Sequence, residues 1–188
     1  DAHDIDTDRL LQDFAKELRG NGGRIETGHP VTSITRTGNT WKVTAGPHIY
    51  HAAKLVNAAG AWAGQLAATA DISLPVEPIR GQVVLTEALP PTLAACLSTS
   101  SCYLVQKRHG EILIGSTTEL AGFDTGITEE GIRGLCQGAI KAVPMLADVG
   151  IKRTWAGLRP GTPDEMPVLG GVDGIDGYAN VAGGFRTG

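Results

Sequence analysis

Two glycine-rich segments near the end of the chain each carry one arginine. The first spans residues 155 to 164 around Arg159, and the second spans residues 181 to 188 around Arg186. Glycines let the main chain approach a flat ligand, and a guanidinium forms a bidentate, charge-assisted pair with a carboxylate. The two segments therefore predict a site for a small anionic molecule. Composition alone equally allows both arginines to bridge surface acids while the glycines only form turns.

Other recurrent chemical signatures are missing from the sequence. It contains no Gly-x-Gly-x-x-Gly segment at a strand-to-helix junction, no phosphate-loop lysine motif and no Gly-x-Ser-x-Gly. Three cysteines without a Cys-x-x-Cys pair, and five histidines in polar surroundings, predict neither disulfides nor a metal site and favour a reducing cytoplasm. A formal net charge of -4 argues against nucleic acid, and no apolar run approaches the roughly 20 residues that span a bilayer.

The elements that must position the arginines begin with an amphipathic helix. Asp6 or Thr7 caps this helix and residues 20 to 23 end it. Its apolar face is formed by Leu10, Leu11, Phe14 and Leu18. Three short runs then predict a small antiparallel meander, at residues 24 to 26, 31 to 36 and 41 to 44.

The middle of the chain alternates strand and helix signals. Residues 54 to 60 predict a short buried strand that enters a tight turn before helical residues 62 to 68, an arrangement that suggests a nearby nucleotide. A broad antiparallel sheet is predicted from three longer runs, at residues 79 to 87, 103 to 107 and 111 to 117. Thr128 caps a helix that runs through Lys141 and ends at Pro144.

The last part of the chain is rich in proline and glycine. Residues 157 to 171 are predicted to be a rigid, closely turning stretch, and residues 178 to 182 a final strand. Residues 55 to 58 and 178 to 182 are expected to be unpaired sheet edges, which favour self-association or a partner chain.

Several ordered segments resemble one family of flavoenzymes. They are residues 4 to 6 before the first helix, 57 to 63 (Asn-Ala-Ala-Gly-Ala-Trp-Ala), 78 to 82 (Pro-Ile-Arg-Gly-Gln), 115 to 119 (Gly-Ser-Thr-Thr-Glu), 122 to 124 (Gly-Phe-Asp) and 155 to 170. In this order and spacing they resemble the FAD-dependent amine oxidoreductases, which include glycine oxidase, D-amino-acid oxidase, D-amino-acid dehydrogenase and sarcosine oxidase. The resemblance covers nearly the whole chain and is strongest to the glycine oxidase and D-amino-acid dehydrogenase branches.

The resemblance implies an α+β fold of the D-amino-acid oxidase type. An antiparallel-sheet substrate domain would occupy residues 61–153, and Rossmann-like FAD-domain elements would occupy residues 1–60 and, as a flavin-proximal segment, 154–188. The family's dinucleotide fingerprint precedes the matched region, and relatives continue beyond Gly188. The chain is therefore expected to be a fragment that lacks both of these parts, does not retain FAD and is inactive in isolation.

The resemblance also assigns roles to residues. Arg159 would hold the substrate carboxylate, Tyr103 would line the same pocket, and Arg186 would lie near both flavin and substrate. Thr118 is a further candidate wall residue, with simple packing in the sheet as the alternative. For FAD, the assigned residues are Val31 near the adenine, Ala59, Gly60 and Trp62 beside the dinucleotide, and Gly183 and Gly184 beside the isoalloxazine ring. Relatives often carry His at the position of Gly184 and Asn at that of Thr187.

The implied reaction is oxidation of the C–N bond of glycine or a small D-amino acid. Hydride passes to the flavin, and the imine product hydrolyses to an oxo acid. An alternative from another class is a non-catalytic subunit or scaffold domain that pairs with a separate cofactor-binding chain. Membrane association is expected only for a quinone-linked dehydrogenase.

Overall fold

A computed structural model describes residues 7 to 185, which form three α-helices and eleven strands. The helices are α1 (Thr7–Gly20), α2 (Ala63–Ala68) and α3 (Glu129–Ala142), with 3₁₀ turns at Gly60–Trp62 and Pro144–Asp148. The strands are β1 (Val31–Thr37), β2 (Thr40–Ala45), β3 (His48–Ala52), β4 (Leu55–Asn57), β5 (Glu77–Ala88), β6 (Leu97–Ser98), β7 (Tyr103–Gln106), β8 (Glu111–Gly115), β9 (Ile151–Gly161), β10 (Val168–Val172) and β11 (Ile175–Ala182). This mixture of helices and mainly antiparallel sheets confirms the predicted α+β class.

The described chain divides into two compact units. One, the sheet unit, comprises residues 79 to 158; the other, the split unit, comprises residues 7 to 78 and 159 to 185. The chain passes from one unit to the other within β5 and again within β9. The family-based domain boundaries at residues 60/61 and 153/154 stay a prediction.

The sheet unit is built on a five-stranded sheet with the order β6-β7-β8-β5-β9. β7 pairs antiparallel with β8, and β8 with β5, which confirms the predicted antiparallel sheet. Helix α3 covers this sheet, and its Leu135 and Ala139 are buried against Leu104, Ile112 and Val84. The sheet thus has an apolar core on the face that α3 covers.

Helix α3 begins where the sequence placed its start. The Thr128 hydroxyl accepts a hydrogen bond from the Gly131 N–H, and Glu129 and Glu130 occupy the first turn. The N-cap oxygen accepts from one exposed N–H of the helix start and the helix dipole favours the early carboxylates, so this prediction is confirmed.

A polar network connects that helix start with β5. The buried Gln82 amide donates to Glu119 at 2.8 Å and to the Thr128 hydroxyl at 2.9 Å, and its oxygen accepts from the Thr128 N–H at 2.9 Å. Arg80 forms ion pairs with Glu119 and Asp124. Burial opposes ionisation of Glu119, but hydrogen bonds from Thr117, Arg80 and Gln82 outweigh it and lower the pKa of this carboxyl.

The split unit contains two three-stranded sheets. The first has the order β1-β2-β3 and is antiparallel, which confirms the predicted meander for β1 and β2. In the second, β11 lies between β10, to which it is antiparallel, and β4, to which it is parallel. Ile34 and Trp41 from the first sheet share one core with Ala63, Ala67 and Tyr178.

Three local predictions were wrong. Residues 24 to 26 form no strand, because Ile25 alone supplies no alternation that could bury one face. The glycine-rich stretch is largely extended, with Gly157 to Gly161 in β9 and Gly170 and Gly171 in β10. Pro160 fits there because β9 is an edge strand of its sheet. Residues 178 to 182 are not an open edge, since β11 is paired on both sides.

The first helix forms as predicted, but its apolar face is open to solvent. Leu10, Leu11, Phe14 and Leu18 are between 41% and 65% exposed, and no described residue of α1 is buried. Among the helices in residues 7 to 185, none has the length and apolar character required to span a membrane.

Two glycines of α3 provide a matched test of the Gln82 network. A Cβ at Gly131 would lie 2.5 Å from the Gln82 amide nitrogen, whereas one at Gly134 would meet nothing within 4 Å. Alanine at Gly131 must therefore displace Gln82 from its buried hydrogen bonds, which costs about 1 to 3 kcal/mol. We expect Gly131→Ala to lower the free energy of unfolding in urea by that amount. Gly134→Ala should instead raise the free energy of unfolding by about 0.5 to 1 kcal/mol. Equal changes in the two variants would contradict the steric conflict between residue 131 and Gln82.

Candidate functional site

The turn after β4 is shaped by the side chain of Asn57. This residue is 1% exposed; its amide nitrogen donates to the Ala63 carbonyl at 2.9 Å, and its oxygen accepts from the Ala59 N–H at 3.3 Å. Gly60 follows with φ +55°, a left-handed conformation that glycine adopts without strain. Asn57 thus fixes the path by which the chain leaves β4 and enters the turn before α2.

The same asparagine is tied to β11 by a buried network. Its amide nitrogen also donates to the Tyr178 hydroxyl at 3.0 Å, and that hydroxyl donates to the Asn180 side-chain oxygen at 2.8 Å. Burial raises the pKa of Tyr178, and the hydrogen bond from Asn57 offsets part of this rise. The phenol is therefore neutral and serves as both donor and acceptor between two buried amides.

A cleft lies where β4 and β11 end. Because these strands are parallel, their carboxyl ends meet at one edge, which brings the turn after Asn57 beside the segment after Ala182. The cleft has a volume of about 410 Å³, a size typical of small-molecule sites. Its walls include Gly60, Pro160, Leu169, Val181, Gly183 and Gly184.

The lining of this cleft is small and apolar. In the described part of the chain no charged side chain contributes to it, and Leu169 and Val181 are more than half exposed. Gly183 has φ +73°, and a Cβ there would lie 2.7 Å from the methyl carbon of Thr162. Position 183 therefore requires glycine, and the cleft wall at this point is formed by main-chain atoms. Such a surface suits a flat, weakly polar ring system.

Arg159 lies at the end of β9, next to a residue that lines the cleft. Its guanidinium carbon is 5.7 Å from the centre of the Phe185 ring, within the range of a cation–π contact. The Phe185 N–H donates to the Pro160 carbonyl at 3.1 Å, so backbone and side chain of Phe185 both meet the Arg159 region. Arg159 is half-buried, which makes its charge more effective towards an anion than that of a fully solvated arginine.

Tyr103 and Thr118 belong to the sheet unit. Tyr103 opposes Gly115 on the neighbouring strand, and a Cβ at Gly115 would lie 2.5 Å from the Tyr103 hydroxyl oxygen. The ring therefore lies across the glycine, and its hydroxyl end is directed along the sheet surface. Thr118 is exposed beyond the end of β8. The predicted substrate role of each residue stays a prediction.

The structure brings together only some of the predicted cofactor residues. Gly60, Gly183 and Gly184 line the same cleft, and Ala59 packs against the core beneath the turn. Val31 opens β1 and is 44% exposed, and Trp62 in the 3₁₀ turn is 52% exposed. Neither lines this cleft. Arg186 lies outside the described residues.

Sequence reasoning assigned no role to Asn57, Tyr178, Asn180 or Phe185. The available signal for Asn57 was an amide at the end of a short apolar strand, where a buried polar side chain must find partners. Phe185 stands within the glycine-rich segment around Arg186, but its neighbour Arg159 is 26 positions earlier in the sequence. Only the fold reveals that pair.

The Tyr178 hydroxyl provides a direct test of the network beneath the turn. In Tyr178→Phe, the amides of Asn57 and Asn180 each lose a buried partner, which costs about 1 to 3 kcal/mol. We expect a lower midpoint of urea denaturation with an unchanged slope. Tyr50→Phe on β3 is the matched control, because Tyr50 is 39% exposed, and its effect should stay within about 0.5 kcal/mol. Equal stability of the two variants would contradict the network's role.

Comparison with known proteins gives consistent matches. The hydrogen cyanide synthase subunit HcnC of Pseudomonas protegens is 48% identical over 189 residues, which cover 99% of this chain and 45% of that protein. Glycine oxidase of Pseudomonas aeruginosa is 40% identical over 135 residues, covering 72% of this chain and 37% of the relative. The chain thus spans less than half the length of these curated relatives.

Solved structures agree with the sequence matches. The crystal structure of glycine oxidase from Geobacillus kaustophilus superposes with a TM-score of 0.88 at 29% identity, over 95% of this chain and 49% of that one. L-proline dehydrogenase from P. horikoshii gives a TM-score of 0.86 at 28% identity, over 93% and 49%. The family model described as FAD dependent oxidoreductase, DAO, matches residues 1–188. The chain therefore belongs to the DAO family of FAD-dependent oxidoreductases.

Proposed function

We propose that this chain serves in the FAD-dependent oxidation of the C–N bond of glycine or another small amino acid. The observation that carries the proposal is a half-buried arginine, Arg159, beside an apolar cleft whose glycines expose the main chain. A small amino acid at neutral pH always presents a carboxylate, which is the anion that a guanidinium binds in bidentate form. The similarity to glycine oxidases supports the same substrate class.

The cleft fits the ring system of FAD better than its phosphates. Its lining within residues 7 to 185 is apolar and uncharged, and Gly60, Gly183 and Gly184 let a planar group approach the main chain. When bound, FAD supplies the acceptor for the hydride that leaves the substrate's α carbon. Bound FAD would cover apolar walls such as Leu169 and Val181 and so reduce the access of water to that region.

Arg159 would contribute by binding and orientation. A guanidinium that holds the carboxylate fixes one end of the substrate, so the α carbon is presented in a reproducible position. The substrate's ammonium group gives one proton to solvent before binding, so the amine enters the site in its neutral form and no further proton has to be removed before hydride transfer. This role of Arg159 requires no acid–base side chain, and it concentrates substrate recognition on a single charged residue.

Replacement of Arg159 tests the proposal in the whole protein loaded with FAD. We expect Arg159→Ala to raise the KM for glycine by about 30-fold or more, because a lost, partly desolvated charge pair costs about 2 kcal/mol or more. Arg153→Ala on the same strand is the matched control, since Arg153 is exposed and stacks on Trp155. If the two variants have the same KM for glycine, Arg159 does not bind the substrate.

A second candidate is favoured by the match to HcnC over 99% of the chain. That relative is named as a hydrogen cyanide synthase subunit, so this chain would be one subunit of an enzyme that forms cyanide. The chemistry is related: a two-electron oxidation of glycine gives an imine that hydrolyses to glyoxylate and ammonia. Removal of four electrons and four protons from glycine gives hydrogen cyanide and carbon dioxide instead. Another chain would then contribute to the second oxidation.

The products of glycine turnover separate the two candidates. With the whole protein, FAD and an electron acceptor, we expect glyoxylate and ammonia in equal amounts, with two electrons transferred per glycine. Cyanide and carbon dioxide, with four electrons per glycine, would support the second candidate and contradict the first. The Arg159→Ala enzyme is the control, because both reactions begin with the same bound carboxylate.

A further inference from the structure

We propose that Phe185 is a positioning residue for Arg159, and this inference rests on the proposed function of Arg159. The aromatic ring covers one face of the guanidinium and holds it at the edge of the cleft. Phe185 itself would not touch the substrate. Its contribution would be to keep the arginine in the orientation that receives a carboxylate.

The contact between the two side chains is suited to this role. With 5.7 Å between the guanidinium carbon and the ring centre, the positive charge lies over the negative face of the ring. A guanidinium carries its N–H donors in its own plane, so an aromatic ring on its face does not compete for those donors. The ring also removes water from one side of the charge, which strengthens its attraction to an anion.

The backbone around Phe185 holds the ring in place. Phe185 has φ +49°, a conformation that non-glycine residues rarely adopt and that the surrounding structure must stabilise. Its N–H donates to the carbonyl of Pro160, the residue directly after Arg159. The ring and the guanidinium therefore project from two segments that are hydrogen-bonded to each other beside the contact.

The segment after β11, residues 183 to 185, connects the arginine with the wall of the cleft. Gly183 and Gly184 line the cleft immediately before Phe185, and Pro160 lines it immediately after Arg159. A displacement of the segment after β11 would move both a wall of the cleft and the ring that holds the arginine. Carboxylate binding is therefore expected to depend on the order of this segment, as well as on Arg159.

The test measures carboxylate binding without turnover. Glycolate carries the carboxylate of glycine but has a hydroxyl in place of the amine, so its binding reports on the anion contact alone. By titration calorimetry on the whole protein loaded with FAD, we expect Phe185→Leu to weaken glycolate binding by about 2- to 30-fold, the range of a cation–π contact. Phe185→Tyr, which keeps the ring face, should restore the affinity. Phe14→Leu on the exposed face of α1 is the matched control.

A spectroscopic measurement separates positioning from a general loss of structure. The Nε–Hε resonance of Arg159, assigned by its loss in Arg159→Lys, should show a ring-current shift that Phe185→Leu removes and Phe185→Tyr retains. In glycine turnover, Phe185→Leu should raise KM more than it lowers kcat. If glycolate affinity is the same in Phe185→Leu and the unmodified protein, the inference is wrong.

The two proposals fail in different ways. If Arg159→Ala leaves glycolate affinity unchanged, the proposed role of Arg159 is wrong, and the inference about Phe185 is overturned with it. If Arg159→Ala weakens binding but Phe185→Leu does not, Arg159 keeps its role and only the positioning by Phe185 is overturned. Weaker binding in both variants, with recovery in Phe185→Tyr, supports both proposals.

Discussion

The parallel pairing of β4 with β11 is the constraint on which the candidate site depends. The two strands are far apart in sequence, with 121 positions between Asn57 and Tyr178, and the pair shares only three register positions. So short a ladder gains specificity from the buried hydrogen bonds of Asn57, Tyr178 and Asn180, because a slipped register would leave amides without partners. The correct register puts Gly60, in the turn after β4, and Gly183, after β11, at the same edge of the sheet.

Much of the fold follows from local sequence signals. The start of α3 was predictable because Thr128 and the two glutamates after it act within one helical turn. The strands β5, β7 and β8 were predictable from their composition and from the short turn between the last two. β10 was missed because Gly170 and Gly171 have low strand propensity, and only their pairing with β11 makes them extended.

The candidate site was less predictable than the elements that carry it. Family resemblance identified Gly60, Gly183 and Gly184, which the structure brings to one cleft. It did not identify Asn57 and Phe185 as organising residues, because their effects depend on partners that are distant in sequence. Propensity and periodicity describe what a segment does by itself, whereas these two residues act through tertiary contacts.

Alternation along the strands explains why polar groups stabilise this region while the cleft beside it is apolar. In β11, Asn180 faces the buried side and Val181 the open side, and in β4 the buried Asn57 follows the exposed Val56. Inside, both amides bond to the Tyr178 hydroxyl, and the outer face carries aliphatic side chains. A shift of one residue in either strand would exchange these faces and place amides in the cleft. The register that stabilises the core therefore also leaves the cleft with an apolar lining.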